Sequence, residues 1–158
     1  MKINIRKAIP DDYDAVCAIY EEIDTYHRKH LPNIFQKPDG PARELEYYTA
    51  LLNDEHVGFY LAEVEGKIIG FGHVVLINSR EFPILVPRVY ALVDAIAIKD
   101  AYQHHGIGKM LMDEMETWAI GSGAASVELN VYEFNQNAIS FYEGLGYQTY
   151  SCKMSKGL

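Results

Sequence analysis

Hydrophobic and polar positions change period several times along this chain. Lys2 to Ala8 (KINIRKA) alternates and reads as an edge strand. Pro10 with Asp11-Asp12 gives a helix start, and Val16, Ile19, Tyr20 and Ile23 recur at helical spacing to about Tyr26. His27 to Gly40 is polar with interspersed apolar residues and prolines, a loop or broken helix. Pro41 to Leu52 returns to helical spacing through Leu45, Tyr48, Leu51 and Leu52. Gly58 to Val64 and Lys67 to Ile77 are strand-like, and Glu65-Gly66 between them predicts a hairpin. Asn78 to Pro87 reads as a loop. Val89 to Ile98 (VYALVDAIAI) is an apolar run of strand length, expected to be central and buried on both faces.

The second half continues the mixture. Gly106 to Ile120 is an amphipathic helix ended by Gly121 and Gly123. Ser126 to Tyr132 is a strand, Asn135 to Leu145 a short helix stopped by Gly146, and Tyr147 to Met154 a last strand. The predicted order is β-α-α-β-β-β-α-β-α-β, an α/β pattern without repeats or a linker, expected to form one domain over residues 1–158.

Composition narrows the classes of function. Of the 158 residues, 49% are hydrophobic and 23% charged, which suits a globular protein with its own core. No apolar run approaches ~20 residues, and the N-terminus lacks the apolar block of a signal peptide, so a cytoplasmic protein without a membrane partner is expected. Cys17 and Cys152 stand in no C-x-x-C pattern and read as packing residues. The formal net charge of -8, with no Lys/Arg cluster, argues against nucleic acid and mildly favours a cationic partner such as an amine.

Candidate chemistry concentrates in Gln103-His104-His105-Gly106-Ile107-Gly108, between the apolar strand and the next helix. The first helical turn leaves about four N–H groups unpartnered, and the helix dipole adds about half a positive charge there. Gly106 and Gly108 remove side chains that would keep a diphosphate from that backbone. A P-loop fails, because one residue separates the glycines and no hydroxyl follows Lys109. A dinucleotide fingerprint fails because its third glycine would be Leu111. His104 and His105 are neighbours that do not easily face one ion, and no ligand spacing accompanies them, so no metal is expected. On the loop alone, a helix start without a ligand stays open.

The loop resembles the Q/R-x-x-G-x-G/A pattern of the GNAT superfamily of N-acetyltransferases, with His105 where Arg is more usual. Asn135-x-x-Ala138-x-x-Phe141-Tyr142-x-x-x-Gly146-Tyr147 resembles the family's C-terminal signature, and Ile3–Arg6 with Asp11–Asp14 its opening. The resemblance is weakest over residues 27–57. It implies a GNAT-like, mostly antiparallel central sheet with helices on both faces. It implies acetyl-CoA as cosubstrate and direct acetyl transfer to a primary amine of a small molecule or peptide. A catalytically weak acyl-CoA-binding regulatory module, or transfer of a longer acyl chain, are the alternatives; a homodimer is among the assemblies it allows.

Carried onto this chain, the resemblance assigns the pyrophosphate to Gln103, His104, His105, Gly106, Ile107, Gly108 and Lys109. The backbone of Ile96, Ala97 and Ile98 takes the pantetheine arm, with Asn135 as a further contact and helix cap. Tyr142 is the donor to the departing thiolate; a phenol near ~10 and a thiol near ~8.5 differ little. Asp94, an acid within the apolar strand, is the candidate general base. The branch that acetylates ribosomal-protein N-termini carries Glu where this chain has Asn130. Acceptor contacts are expected from residues 20–37 and the hairpin, with Tyr26, His27, His30 and Phe35 as candidates by position; Glu21-Glu22 reads as a solvated helix face.

Overall fold

The N-terminal alternation forms β1 (Ile3–Lys7), the outer strand of a five-stranded sheet in a computed structural model that describes Met1–Leu158. A 3-10 turn, Pro10–Asp12, leads into α1 (Tyr13–His30), and α2 spans Leu45–Asn53. β2 (Val57–Val64) and β3 (Lys67–Asn78) make the predicted hairpin, with both turn residues Glu65 and Gly66 at positive φ, as a two-residue turn of this hand requires. β4 (Val89–Ile98) follows, then α3 (Ile107–Gly121), β5 (Val127–Leu129) and α4 (Gln136–Gly144). The strand order is β1-β2-β3-β4-β5, antiparallel except for the parallel β4–β5 pair. No helix is long and apolar enough to cross a membrane.

Two apolar layers flank the sheet. One joins Tyr60, Ala62, Val74, Ala91 and Val93 to Ile107, Leu111, Met112 and Met115 of α3, with Phe141 and Tyr142 of α4 at its margin. The other joins Phe59, Leu61, Phe71 and Ala97 to Val16, Ile19 and Tyr20 of α1 and Tyr48 of α2. Helices therefore cover both faces, as expected.

The structure departs from the sequence expectations in several places. α1 runs on to His30, because His27, Arg28, Lys29 and His30 give its last turn a basic end that suits the helix dipole. β5 stops at Leu129 instead of Tyr132. The last strand, Tyr147 to Met154, does not form: residues 147–158 carry no helix or strand. Alternation alone does not make a strand. It needs a partner edge, and β5 offers three residues.

The prediction that Val89–Ile98 is buried on both faces holds only in part, and fails outright at Asp94, the one exposed residue of the strand. His73 of β3 pairs with Ala95 and Val74 pairs with Val93, so Asp94 is an extra residue, a β-bulge. The bulge reverses the strand's phase. Ala91 and Val93 pack towards α3 before it; Ile96 and Ile98 do so after it. Ala95 and Ala97 join the α1–α2 layer, and Asp94 is exposed beside them.

Candidate active site

The ladder between β4 and β5 covers Ala91–Val127, Leu92–Glu128 and Val93–Leu129 and then ends. From Asp94 to Ile98, β4 has β3 on one side and no strand on the other. A free strand edge of this kind presents unpaired N–H and C=O groups to an extended, peptide-like ligand. Ile96, Ala97 and Ile98 lie along it. The Ile98 carbonyl accepts a 3.2 Å hydrogen bond from the Gln103 side chain, which also donates to Asp100 at 2.9 Å. Gln103 thus fixes where the glycine loop leaves the strand.

In that loop His104 has φ +63° and Gly106, which caps α3, has φ +79°. The N–H groups of residues 104–109 find no acceptor in the chain, and no side chain caps α3. An unpartnered first turn with no capping side chain suits an anion. His105 turns its ring onto its own loop, Nδ1–H donating to the Gln103 carbonyl at 2.7 Å, and Lys109 pairs with Asp113 at 2.7 Å. Their side chains are therefore occupied while their main-chain N–H groups are free. Gly106 borders open space, whereas a Cβ on Gly108 would meet Phe141 at 3.0 Å and Ile98 at 3.3 Å. The second glycine serves the packing of α3 on α4.

α4 begins at Asn135, whose Oδ1 accepts from the Ala138 N–H at 3.2 Å. This leaves the Asn135 amide nitrogen unused by the cap. Tyr142, two turns on, packs beside Phe141 and Tyr147 with ring centroids at 5.3 and 6.0 Å. Burial pushes its hydroxyl up to about 12. Its hydroxyl makes no hydrogen bond to the chain, so its proton is available to a ligand. Tyr147, in the same signature, instead donates to Glu116 at 2.7 Å and ties the exit of α4 to α3.

On the opposite face of the sheet, the bulge presents Asp94. The carboxylate is half exposed, and its Oδ2 lies 3.6 Å from Nε2 of His73, which is 1% exposed. That nitrogen is also 3.2 Å from the Tyr20 hydroxyl. Arg43, from the loop before α2, lies over the Tyr20 ring at 4.1 Å and pairs with Asp24 at 3.0 Å. Burial first, and the Asp94 charge second, push the Tyr47 hydroxyl above its ordinary range. Sequence reasoning named Asp94; Tyr20 and His73 lie within the stretches it expected on the acceptor side without being singled out, and Arg43 and Tyr47 were missed. The available signal was a histidine inside the apolar run IIGFGHVVLI.

Tyr26, His27, His30 and Phe35 do come together, joined by Tyr132 and Phe134 from the segment after β5. His30 stacks on Phe134 at 4.6 Å, His27 lies 5.3 Å from Phe35, and Phe35 lies 5.5 Å from Tyr132. His27 is seven residues beyond Tyr20, a helical rise of about 10 Å. The end of α1 and the segment leaving β5 thus place an aromatic patch beyond Asp94. Tyr26 and Tyr132, 37% and 42% exposed, leave it open to solvent.

Residues 17–147 match the acetyltransferase (GNAT) family. An uncharacterised N-acetyltransferase of Methanocaldococcus jannaschii is 30% identical over 102 residues, 65% of this chain and 44% of that protein, so the chain spans less than half of that relative's length. The fold is shared with a mutant form of the BH1408 protein from Bacillus halodurans, at TM-score 0.94 and 22% identity over 98% of this chain and 99% of that one. It is shared also with the aminoglycoside N-acetyltransferase AAC(6')-Iy in complex with CoA, at TM-score 0.73 and 12% identity over 98% of each chain. Matched from within α1 to the tyrosine that follows α4, this chain belongs to the GNAT family of acetyltransferases.

Proposed function

We propose that the protein transfers the acetyl group of acetyl-CoA to a primary amine of a small molecule or peptide. The observation that carries this reading is the junction of the open β4 edge with the uncapped start of α3, where residues 104–109 hold their N–H groups free. Those N–H groups and Gly106 fit a pyrophosphate. The main chain of Ile96, Ala97 and Ile98 fits the amide-bearing arm, and the free amide nitrogen of Asn135 fits a polar group along it. When bound, acetyl-CoA supplies an activated acyl group and a sulfur leaving group.

The chain's own residues then have separable tasks. A lysine-like amine, with pKa about 10.4, is protonated at neutral pH and must lose that proton before it can attack. Asp94, exposed in the bulge, accepts it: an N–H bond breaks and an O–H bond forms on the carboxylate. The nitrogen lone pair forms the new C–N bond, the C–S bond breaks with its electron pair staying on sulfur, and the nitrogen, cationic after attack, gives up its second proton to solvent to leave a neutral amide. Tyr142 gives that sulfur a hydrogen bond. Its raised pKa keeps the phenol protonated, and the same burial raises a thiolate placed beside it, so the gap between the two governs the proton's final position. The aromatic patch at the end of α1 supplies a wall for the acceptor's body.

A thiol-release assay with acetyl-CoA against polyamines, amino acids, aminoglycosides and peptides tests the reading. Release that depends on one amine class supports it and identifies the acceptor. Failure of CoA to bind in calorimetry overturns it. Binding without turnover marks a regulatory module, and faster turnover with longer acyl-CoA marks a different donor.

A further inference from the structure

The mechanism above leaves a buried, titratable side chain without a task. His73 sits mid-strand in β3, directly behind the bulge, with the Phe59 ring 5.2 Å from its own. Its Nδ1 is fully enclosed and has no partner. Its Nε2 faces two oxygens, the Tyr20 hydroxyl at 3.2 Å and Asp94 Oδ2 at 3.6 Å.

The two neutral tautomers differ sharply here. A proton on Nδ1 would bury a donor with no acceptor and turn the Nε2 lone pair towards a carboxylate, with only the Tyr20 hydroxyl to donate to it. A proton on Nε2 gives one donor aimed at two acceptors. The second arrangement is favoured. The charged and titratable groups around the ring are Asp94 from β4, Tyr20 and Asp24 from α1, Arg43 from the loop before α2, and Tyr47 from α2. Burial and then Arg43 oppose an imidazolium, while Asp94 favours it; burial dominates and holds His73 well below the ordinary histidine range. His73 therefore stays neutral and does not itself take the amine's proton.

Asp94, for its part, has no ladder partner, and its side chain makes no hydrogen bond within the chain. Only the contact to His73 orients it. The 3.6 Å separation is longer than a hydrogen bond, and a small rotation of Asp94 closes it, as such contacts do when substrate arrives.

We propose that His73 is the positioning residue for the proton acceptor: its Nε2–H holds the Asp94 carboxylate in the bulge, turned towards the open side of the sheet. The proposal rests on reading Asp94 as that acceptor. It makes the buried ring, and not only the exposed acid, a determinant of whether the enzyme can use an acceptor that arrives as an ammonium ion.

A two-bond proton–nitrogen correlation spectrum of the full chain, without substrates, tests the arrangement independently of activity. The His73 signals, assigned by their loss in His73→Gln, are expected to show the Nε2–H tautomer at pH 7 and to move in Asp94→Asn. An Nδ1–H tautomer, an imidazolium, or indifference to Asp94→Asn overturns the proposal. Kinetics supply the second arm. Gln can place a side-chain N–H near the Nε2 position, and Asn near that of Nδ1. Asn is expected to lose at least tenfold in kcat with an unchanged KM for the acyl donor, and its rate should keep rising with pH towards the amine's own pKa. Gln should restore most of that loss. Equal losses in both variants, with the wild-type pH profile retained, overturn the positioning role. Absence of acetyl transfer by the wild type is a different result and sinks the acceptor reading on which the proposal stands.

Discussion

Gly106 and Gly108 look interchangeable in the sequence, yet they meet different physical demands. The first adopts a left-handed φ that costs other residues roughly 1 kcal/mol or more. The second makes room for Phe141. Gly108→Ala is expected to destabilise the fold by about 1–3 kcal/mol in urea unfolding, and Phe141→Leu in the same chain to recover part of it, because the clash is with the end of a side chain. Full stability of the single variant would show that α3 can shift freely. Tyr142 carries the sharper functional expectation. Tyr142→Phe should lower kcat about a hundredfold while calorimetric affinity for CoA stays within about twofold, since no hydrogen bond of the fold uses that hydroxyl. The motif made Tyr142 and both glycines legible. Phe141 as the neighbour that requires Gly108 was not legible, because that contact joins residues on different helices.

Within elements, the periodicities located nearly every helix and strand, since each depends on residues a few positions apart. β4 shows the limit. Val93, Asp94 and Ala95 are consecutive in an apolar run, and nothing in their order says that the strand gains a residue there. Once Asp94 is left out, Ala91, Val93, Ile96 and Ile98 fall on one face and Ala95 and Ala97 on the other. Deleting Asp94 is accordingly expected to preserve the circular dichroism spectrum and to keep the melting temperature at or above that of the wild type, while abolishing acetyl transfer. A collapsed fold would mean that the bulge is structural and not an insertion that serves the site. The missing last strand is the converse case. Tyr147 to Met154 has the right pattern, but a strand is a property of two partners, and only one was visible.

At the scale of the molecule, Arg6 fastens β1 to the entry of α1 through two hydrogen bonds to Asp12, at 2.7 and 2.8 Å, and a third to Glu63 at 2.9 Å. The Arg6 hydrogen bonds hold the Asp12 carboxyl below its usual range, against the opposing effect of burial. A depressed folded-state pKa stabilises at pH values above the unfolded one and loses that contribution as pH falls through the folded value. The stability difference between wild type and Asp12→Asn should thus be flat from about pH 5.5 to 8 and shrink below about pH 4 in urea titrations. A difference that persists unchanged into acid would show that the charge of Asp12 is not what stabilises this corner. By itself the sequence determined the α/β class, the order of the elements as far as α4 and the family, because these rest on local period, turn chemistry and the spacing of glycines, Asn135 and Tyr142 along one chain. Tertiary structure alone decided that β4 parts from β5 after Val93, that Asp94 stands out of register, and that His73 and Tyr20 meet behind it. Those features depend on which strand runs short beside which, a comparison between segments far apart in the chain that no local pattern contains.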